Sequence, residues 1–210
     1  MSSLKLLEAE LRARTQIPYK WKRVQNNVYD RQTDFIYDFL SYDAVVEKIN
    51  WTFRKRSDKD DLFNYALNRW YNYHSAMAVE KMFCSYPGIE AHKNKKDRLV
   101  DFSIQGITFD HKSSVFPKSY SATLEDARQN KKPLIEWFYA HQSQQRRRHM
   151  ANRLFIVFYD QHGQHWKLKA ELQWIEGIIR DYVKSFSKHN LVSLELEGKA
   201  VLSDVIFAVR

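Results

Sequence analysis

The chain holds a single cysteine, Cys84, among 210 residues. No internal disulfide can form, and no CxxC or Cys/His pattern is present, so disulfide scaffolds and zinc modules are excluded. Only five glycines and four prolines occur, which argues against long flexible linkers. The sequence has no Gly-rich phosphate loop and no GxSxG nucleophile motif. It has no internal repeat and no low-complexity segment. No stretch approaches the roughly 20 apolar residues that a membrane span needs. The opening residues MSSLKLLEAELRARTQ carry charge throughout and lack the apolar run of a secretory signal, so a cytoplasmic protein without a membrane partner is expected.

What the chain does have is aromatic bulk and positive charge. Hydrophobic residues make up 44 % and aromatic residues 15 %, which predicts a folded protein with a substantial core. The net charge of +9 suggests a polyanionic partner, with nucleic acid first. Residues 3–14 read as a charged helix, 30–56 as one or two helices, and 57–86 as a longer one that Ser57 caps and Pro87-Gly88 ends. Residues 99–113 read as paired strands and 124–150 as mostly helical, with a break at Pro133. RLFIVFYD, 153–160, is a strand buried on both faces, and HWKLK, 165–169, a short return strand. Residues 170–186 have helical spacing, and the chain closes with two strands around Gly198. This order is that of a mixed α/β protein.

The most informative stretch is VDFSIQGITFDHKSS, 100–114. With the turn at Gln105-Gly106, antiparallel pairing sets Ile104 against Ile107, Ser103 against Thr108 and Phe102 against Phe109. Phe102, Ile104, Ile107 and Phe109 then share one face, and Asp101, Ser103, Thr108, Asp110 and Lys112 share the other. A one-residue slip would mix the two faces. In this register Asp101 falls opposite Asp110, with Cβ atoms roughly 4.5–5.5 Å apart, and like charges so placed destabilise a sheet. Lys112 supplies one compensating charge. A divalent cation supplies more, and Mg²⁺ favours such hard oxygen ligands. The plain alternative is a solvated face on which Lys112 bridges two surface acids at almost no net gain.

Asp101, followed after eight residues by Asp110-His111-Lys112, resembles the motif of the PD-(D/E)XK nuclease superfamily, the restriction-endonuclease-like fold. The resemblance covers roughly residues 60–160, and Val100 stands where the family's motif has proline. It implies an α/β core with a central mixed sheet flanked by helices, spanning 57–210, and an α-helical N-terminal extension over 1–56. It further implies a metal-dependent nuclease that hydrolyses phosphodiester bonds in DNA rather than RNA. Asp101, Asp110 and the backbone carbonyl of His111 would be the metal ligands, and Mg²⁺, or Mn²⁺ in its place, the cofactor. Lys112 would act on the attacking water or the phosphate. Glu80, in AMAVEKMF, sits where the family carries a further acid on the preceding helix. A homodimer is an implied assembly.

Two basic runs suit a phosphate backbone: HKNKKDR with Lys93, Lys95, Lys96 and Arg98, and HQSQQRRRHMANR with Arg146, Arg147 and Arg148. Any one of these side chains can equally belong to a solvated face. Trp21, in YKWKR, is a candidate for stacking on a base. The ring of His111 is expected to pack on the face opposite Asp110, and Cys84 reads as a small core residue. His141, His149, His162 and His165 show no metal-ligand spacing. The competing functional reading is a non-catalytic protein that binds nucleic acid, or a protein partner through its helical front end.

Charge reversal across Lys93, Lys95 and Lys96, or across Arg146 to Arg148, is expected to weaken nucleic-acid affinity while leaving the fold intact. The log–log salt slope should flatten by about 0.9 for each phosphate that is no longer neutralised. Titrations at several salt concentrations check this, and unchanged slopes in both variants would remove these segments from the binding surface.

Overall fold

The computed structural model describes residues 3–92, 100–141 and 150–210. They form two compact units. The first runs up to Val79 and takes in Lys169–Trp174; the second holds the described residues from Glu80 to Leu168 together with Ile175–Arg210.

The first unit is helical. It contains α1 (Ser3–Arg14), α2 (Asn27–Gln32), a 3₁₀ turn at Asp34–Asp38, α3 (Tyr42–Phe53) and most of α4 (Lys59–Cys84). The Asn26 side chain caps α2 by accepting from the amides of Val28 and Tyr29. Val45, Ile49 and Phe53, one turn apart, are the buried face of α3. Ser57 does not cap α4. The Asp58 carbonyl accepts the first helical amide, from Leu62, at 3.1 Å, while Arg56 and Arg23 hold the Asp58 carboxylate. Trp70 and Tyr65 of α4 are fully buried, and the Trp70 indole donates to the Phe39 carbonyl at 2.7 Å. Glu8 of α1 accepts from the Gln173 amide at 2.7 Å, which ties the late segment Lys169–Trp174 to the early helices.

The second unit is built on a six-stranded mixed sheet in the order β1-β2-β3-β4-β6-β5. Its strands are β1 (Ile89–Ala91), β2 (Phe102–Ile104), β3 (Ile107–Val115), β4 (Arg153–Tyr159), β5 (Val192–Leu196) and β6 (Lys199–Val209). The first three form an antiparallel meander; β3, β4 and β6 run parallel; β5 returns antiparallel at the edge. Helices α5 (Leu124–Gln129) and α6 (Lys132–His141) connect β3 to its parallel neighbour β4, and α7 (Leu172–Ser185) precedes the closing pair. Thr123 and Asp126 make a reciprocal capping box on α5. Pro133 falls in the first turn of α6, where its missing N–H costs nothing.

β4 is buried along nearly its whole length because it has a parallel neighbour on each side. On one face of the sheet Phe155, Val157, Val201 and Val205 pack with Leu134, Ile135 and Phe138 of α6. One expectation fails here. His165–Ala170 is a 3₁₀ turn and not a return strand, because the Asp160 carboxylate draws in the amides of His162 and Gln164 and winds the chain tightly there. With β3 and β6 on either side, β4 also has no edge left to pair. The helical stretch from 124 breaks between Gln129 and Lys132, beside the expected break at Pro133, and 142–149 lie outside the described residues.

The β2–β3 turn is the expected two-residue turn, with Gln105 at φ 50° and Gly106 at φ 77°, the mirror-type turn that suits strand twist. A Cβ at Gly106 would meet no atom within 4 Å, so only backbone strain opposes one. Gly106→Ala should cost about 1 kcal/mol, read as a Tm drop of about 2–4 °C. Gln105→Asn, which tolerates positive φ better, should shift Tm the other way in the same melts.

Candidate active site

Alternating Phe and Ile side chains set the hairpin register: Phe102 pairs with Phe109, Ser103 with Thr108 and Ile104 with Ile107. The ladder ends there: the Asp101 amide donates at 2.8 Å to the carbonyl of Phe109, the residue that Phe102 already faces, so Asp101 departs from the regular register position opposite Asp110 that the sequence predicts. Phe102, Ile104 and Phe109 are buried. Phe102 stacks on Phe83 of α4 at 4.7 Å between ring centroids, and this fixes the hairpin against the end of that helix. Glu80 lies one helical turn before Phe83, on the stretch of α4 that belongs to the same unit.

Asp110 is buried at 4 % exposure. One carboxylate oxygen accepts from Lys112 Nζ at 2.6 Å, and the other lies 3.4 Å from Arg153 Nε. Arg153 is the residue paired with Asp110 on β4, and its guanidinium lies over the Tyr139 ring at 4.8 Å. The Tyr139 hydroxyl in turn meets Ser203 of β6 at 2.8 Å. Asn152 braces the same corner. Its carbonyl accepts the Asp110 amide at 2.9 Å, its side chain donates to the Thr108 carbonyl at 3.1 Å, and its side-chain oxygen accepts from Leu202 at 2.8 Å.

Asp101 is held differently. One of its oxygens accepts from both the backbone amide and the Nδ1 of His111, at 2.7 and 2.8 Å. The His111 ring is buried beside Phe102, as expected, but it also serves the acid. Each carboxylate therefore has its own partners: His111 for Asp101, and Lys112 with Arg153 for Asp110. The sequence pattern identifies Lys112 as a compensating charge but counts Arg153, the last arginine of the run 141–153, with the phosphate-contacting cluster, whereas the structure buries it beside Asp110. The only local signal is an arginine standing at the head of a strand otherwise wholly apolar.

These environments push the two acids apart. Burial raises the Asp101 carboxyl, but the hydrogen bonds and charge of His111 outweigh it and the net shift is downward. Burial also raises Asp110, and there it prevails over Lys112 and Arg153, with the charge of Asp101 adding to the rise. Glu80 is raised by burial and then by Asp101. Half-buried Cys84, next along α4, is pushed up to about 11 by burial and then by Glu80 and Asp101, so its thiol is unreactive at neutral pH.

The donors are hard carboxylate oxygens, the chemistry that suits Mg²⁺ or Mn²⁺, and Asp101 is within electrostatic reach of both Glu80 and Asp110. Among the described residues, no three His, Cys, Asp or Glu side chains gather closely enough to hold one ion. Lys93, Lys95, Lys96, Arg98, Arg146, Arg147 and Arg148 lie outside the described residues. Comparison with family models, with curated proteins and with solved structures finds no match.

The opposite shifts predict opposite stability effects. Asp101 stabilises the fold above its ordinary value, and that contribution is lost as pH falls through its lowered value. Asp110 binds its proton more tightly when folded, so stability falls as pH rises from its ordinary value of 3.8 through its raised one. In EDTA at neutral pH, Asp101→Asn should cost roughly 2 kcal/mol, and Asp110→Asn should leave Tm unchanged or higher. A large drop for Asp110→Asn would mean that its two cations outweigh its burial.

Proposed function

We propose that the chain is a metal-dependent nuclease of the restriction-endonuclease-like type, cleaving phosphodiester bonds in DNA rather than RNA. The observation that carries this reading is the joining of Asp110 and Lys112 by a 2.6 Å bond on β3, beside Asp101 at the entry to the paired strand. The element order supports it. A helix, α4, leads into an antiparallel meander bearing the acids, and two helices then cross to the parallel strand β4.

In this reading Asp101, Asp110 and the His111 carbonyl would hold Mg²⁺ or Mn²⁺. Such an ion polarises a phosphoryl oxygen and makes bound water a better nucleophile. His111 orients the Asp101 carboxylate through two hydrogen bonds. Lys112, whose side chain is 39 % exposed, presents its charge to the incoming phosphate while bonded to Asp110. Arg153 stays buried behind it and offsets the Asp110 charge from within the sheet. Glu80, whose carboxyl is raised by burial and then by Asp101, would help orient the site or complete the metal shell. A cytoplasmic location and a homodimeric assembly belong to the same proposal.

One observation favours a second reading. Lys112 and Arg153 already neutralise Asp110, as a structural ion cluster would, and the chain would then bind nucleic acid without cutting it.

Plasmid and short oligonucleotides incubated with Mg²⁺, Mn²⁺ or EDTA separate the two. Cleavage should require the metal and should fall about 100-fold or more in Asp110→Asn. Lys112→Ala should slow the chemical step by a similar factor at unchanged metal dependence. Wild-type rates in Asp110→Asn would end the assignment at this site, and metal-independent binding without cleavage would establish the second reading.

A further inference from the structure

Four aromatic rings stand out from the surface among the described residues: Trp21, Tyr37, Trp51 and Tyr73. Three of them, all but Trp51, border one opening in the first unit, a cavity of about 390 Å³. That volume lies within the roughly 300–1,000 Å³ typical of small-molecule sites.

The walls are held rigidly. The Tyr37 and Tyr73 rings lean together at 4.4 Å between centroids, and Trp21 packs edge-on against Tyr65 at 5.6 Å and Tyr19 at 6.2 Å. The floor is Arg69, only 9 % exposed. Its guanidinium pairs with Asp30 at 3.2 Å and Asp34 at 3.1 Å, and donates to the Asp30 carbonyl at 2.6 Å and the Tyr37 hydroxyl at 2.5 Å. The Asp30 carboxylate also accepts from the Tyr65 hydroxyl at 2.6 Å.

This wiring selects the ligand. Arg69 is spent on both Asp30 and Asp34, so the floor holds no free cation for an anionic ligand. What remains on offer is aromatic surface and the two carboxamides of Gln25 and Asn72. Asn72 is oriented, because its amide donates to the Tyr19 hydroxyl at 2.7 Å and its oxygen accepts from Lys169 at 3.1 Å. Stacking faces beside neutral hydrogen-bonding edges match an uncharged planar ring that itself carries donors and acceptors. Exposed Lys20 and Lys22 flank Trp21 in the chain and supply positive charge for an attached phosphate.

We propose that this cavity binds a nucleobase of single-stranded nucleic acid, stacked against Trp21 and the Tyr37–Tyr73 pair with its edge toward Gln25 and Asn72. The inference goes beyond the nuclease reading and does not depend on it, since it uses no residue of the hairpin.

Fluorescence anisotropy of a short labelled single strand, measured in EDTA so that no cleavage occurs, tests it. The strand should bind more tightly than its abasic counterpart and than the same sequence as duplex. Trp21→Ala and Tyr73→Ala should each weaken binding about tenfold, Trp21→Phe should restore most of it, and Trp51→Ala should change nothing. Gln25→Ala, at an exposed position, serves should either aromatic truncation fail to fold, and it too should weaken binding. Competition by AMP distinguishes the two sources of a base: displacement of the strand means that free nucleotides also enter, and no displacement means that the attached backbone is required. Equal affinity for the abasic strand, or equal affinity of all variants, overturns the proposal. Loss of plasmid cleavage in Asp110→Asn with strand binding intact keeps this outcome separate from that of the hairpin.

Discussion

A buried carboxylate cannot stay ionised without cations or hydrogen bonds around it, and Asp110 brings that constraint to the candidate site in the second unit. It sits at 4 % exposure between Lys112 on its own strand and Arg153 on the next. Arg153 reaches it only because β3 and β4 run parallel with Asp110 paired to Arg153. The parallel pairing in turn needs the α5–α6 crossover, and the crossover needs the apolar face of α6 packed on β4 and β6. The electrostatics of one acid thus depend on the whole order of the sheet.

The same hairpin is governed from its other face by packing. Phe102 against Phe83 joins the acidic strand pair to the end of α4, and this brings Glu80 into the field of Asp101. Asp101 and Asp110 end with shifts of opposite sign because one accepts two hydrogen bonds from His111 and the other is more deeply buried. Paired titratable groups driven apart in this way are what acid–base and metal chemistry requires. They are also what a structural charge cluster produces, which is why cleavage and melting must be read on the same variants.

The first unit handles buried charge by another route. Arg14 is fully buried, with its guanidinium bonded to the carbonyls of Ile17 and Pro18 and to the Asn68 side chain. Arg69 is absorbed by Asp30, Asp34, Thr33 and Tyr37. Arg14 spends donors mainly on backbone carbonyls and Arg69 mainly on side chains, as the fixed guanidinium fork permits. Surface aromatics are then left standing around a floor without a free cation.

By itself the sequence determined what depends on local period. The alternation of Phe and Ile about Gln105-Gly106 dictated the hairpin register, the apolar run 153–159 dictated a strand covered on both faces, and the spacing of Leu172, Ile175 and Ile179 dictated α7. A period is written in neighbouring residues, so no distant contact is needed to read it. β1 escaped because three residues, Ile89–Ala91, are too few to show a period. The 3₁₀ turn at His165–Ala170 defies its strand-like composition because Asp160 and the lack of an open edge on β4 overrule it. Only the tertiary structure decided that Arg153 meets Asp110, that the His111 ring serves Asp101, and that Trp21, Tyr37 and Tyr73 surround one cavity. These are pairings between elements remote along the chain. They exist only once the sheet order and the helix packing have closed, and no short stretch of sequence carries that information.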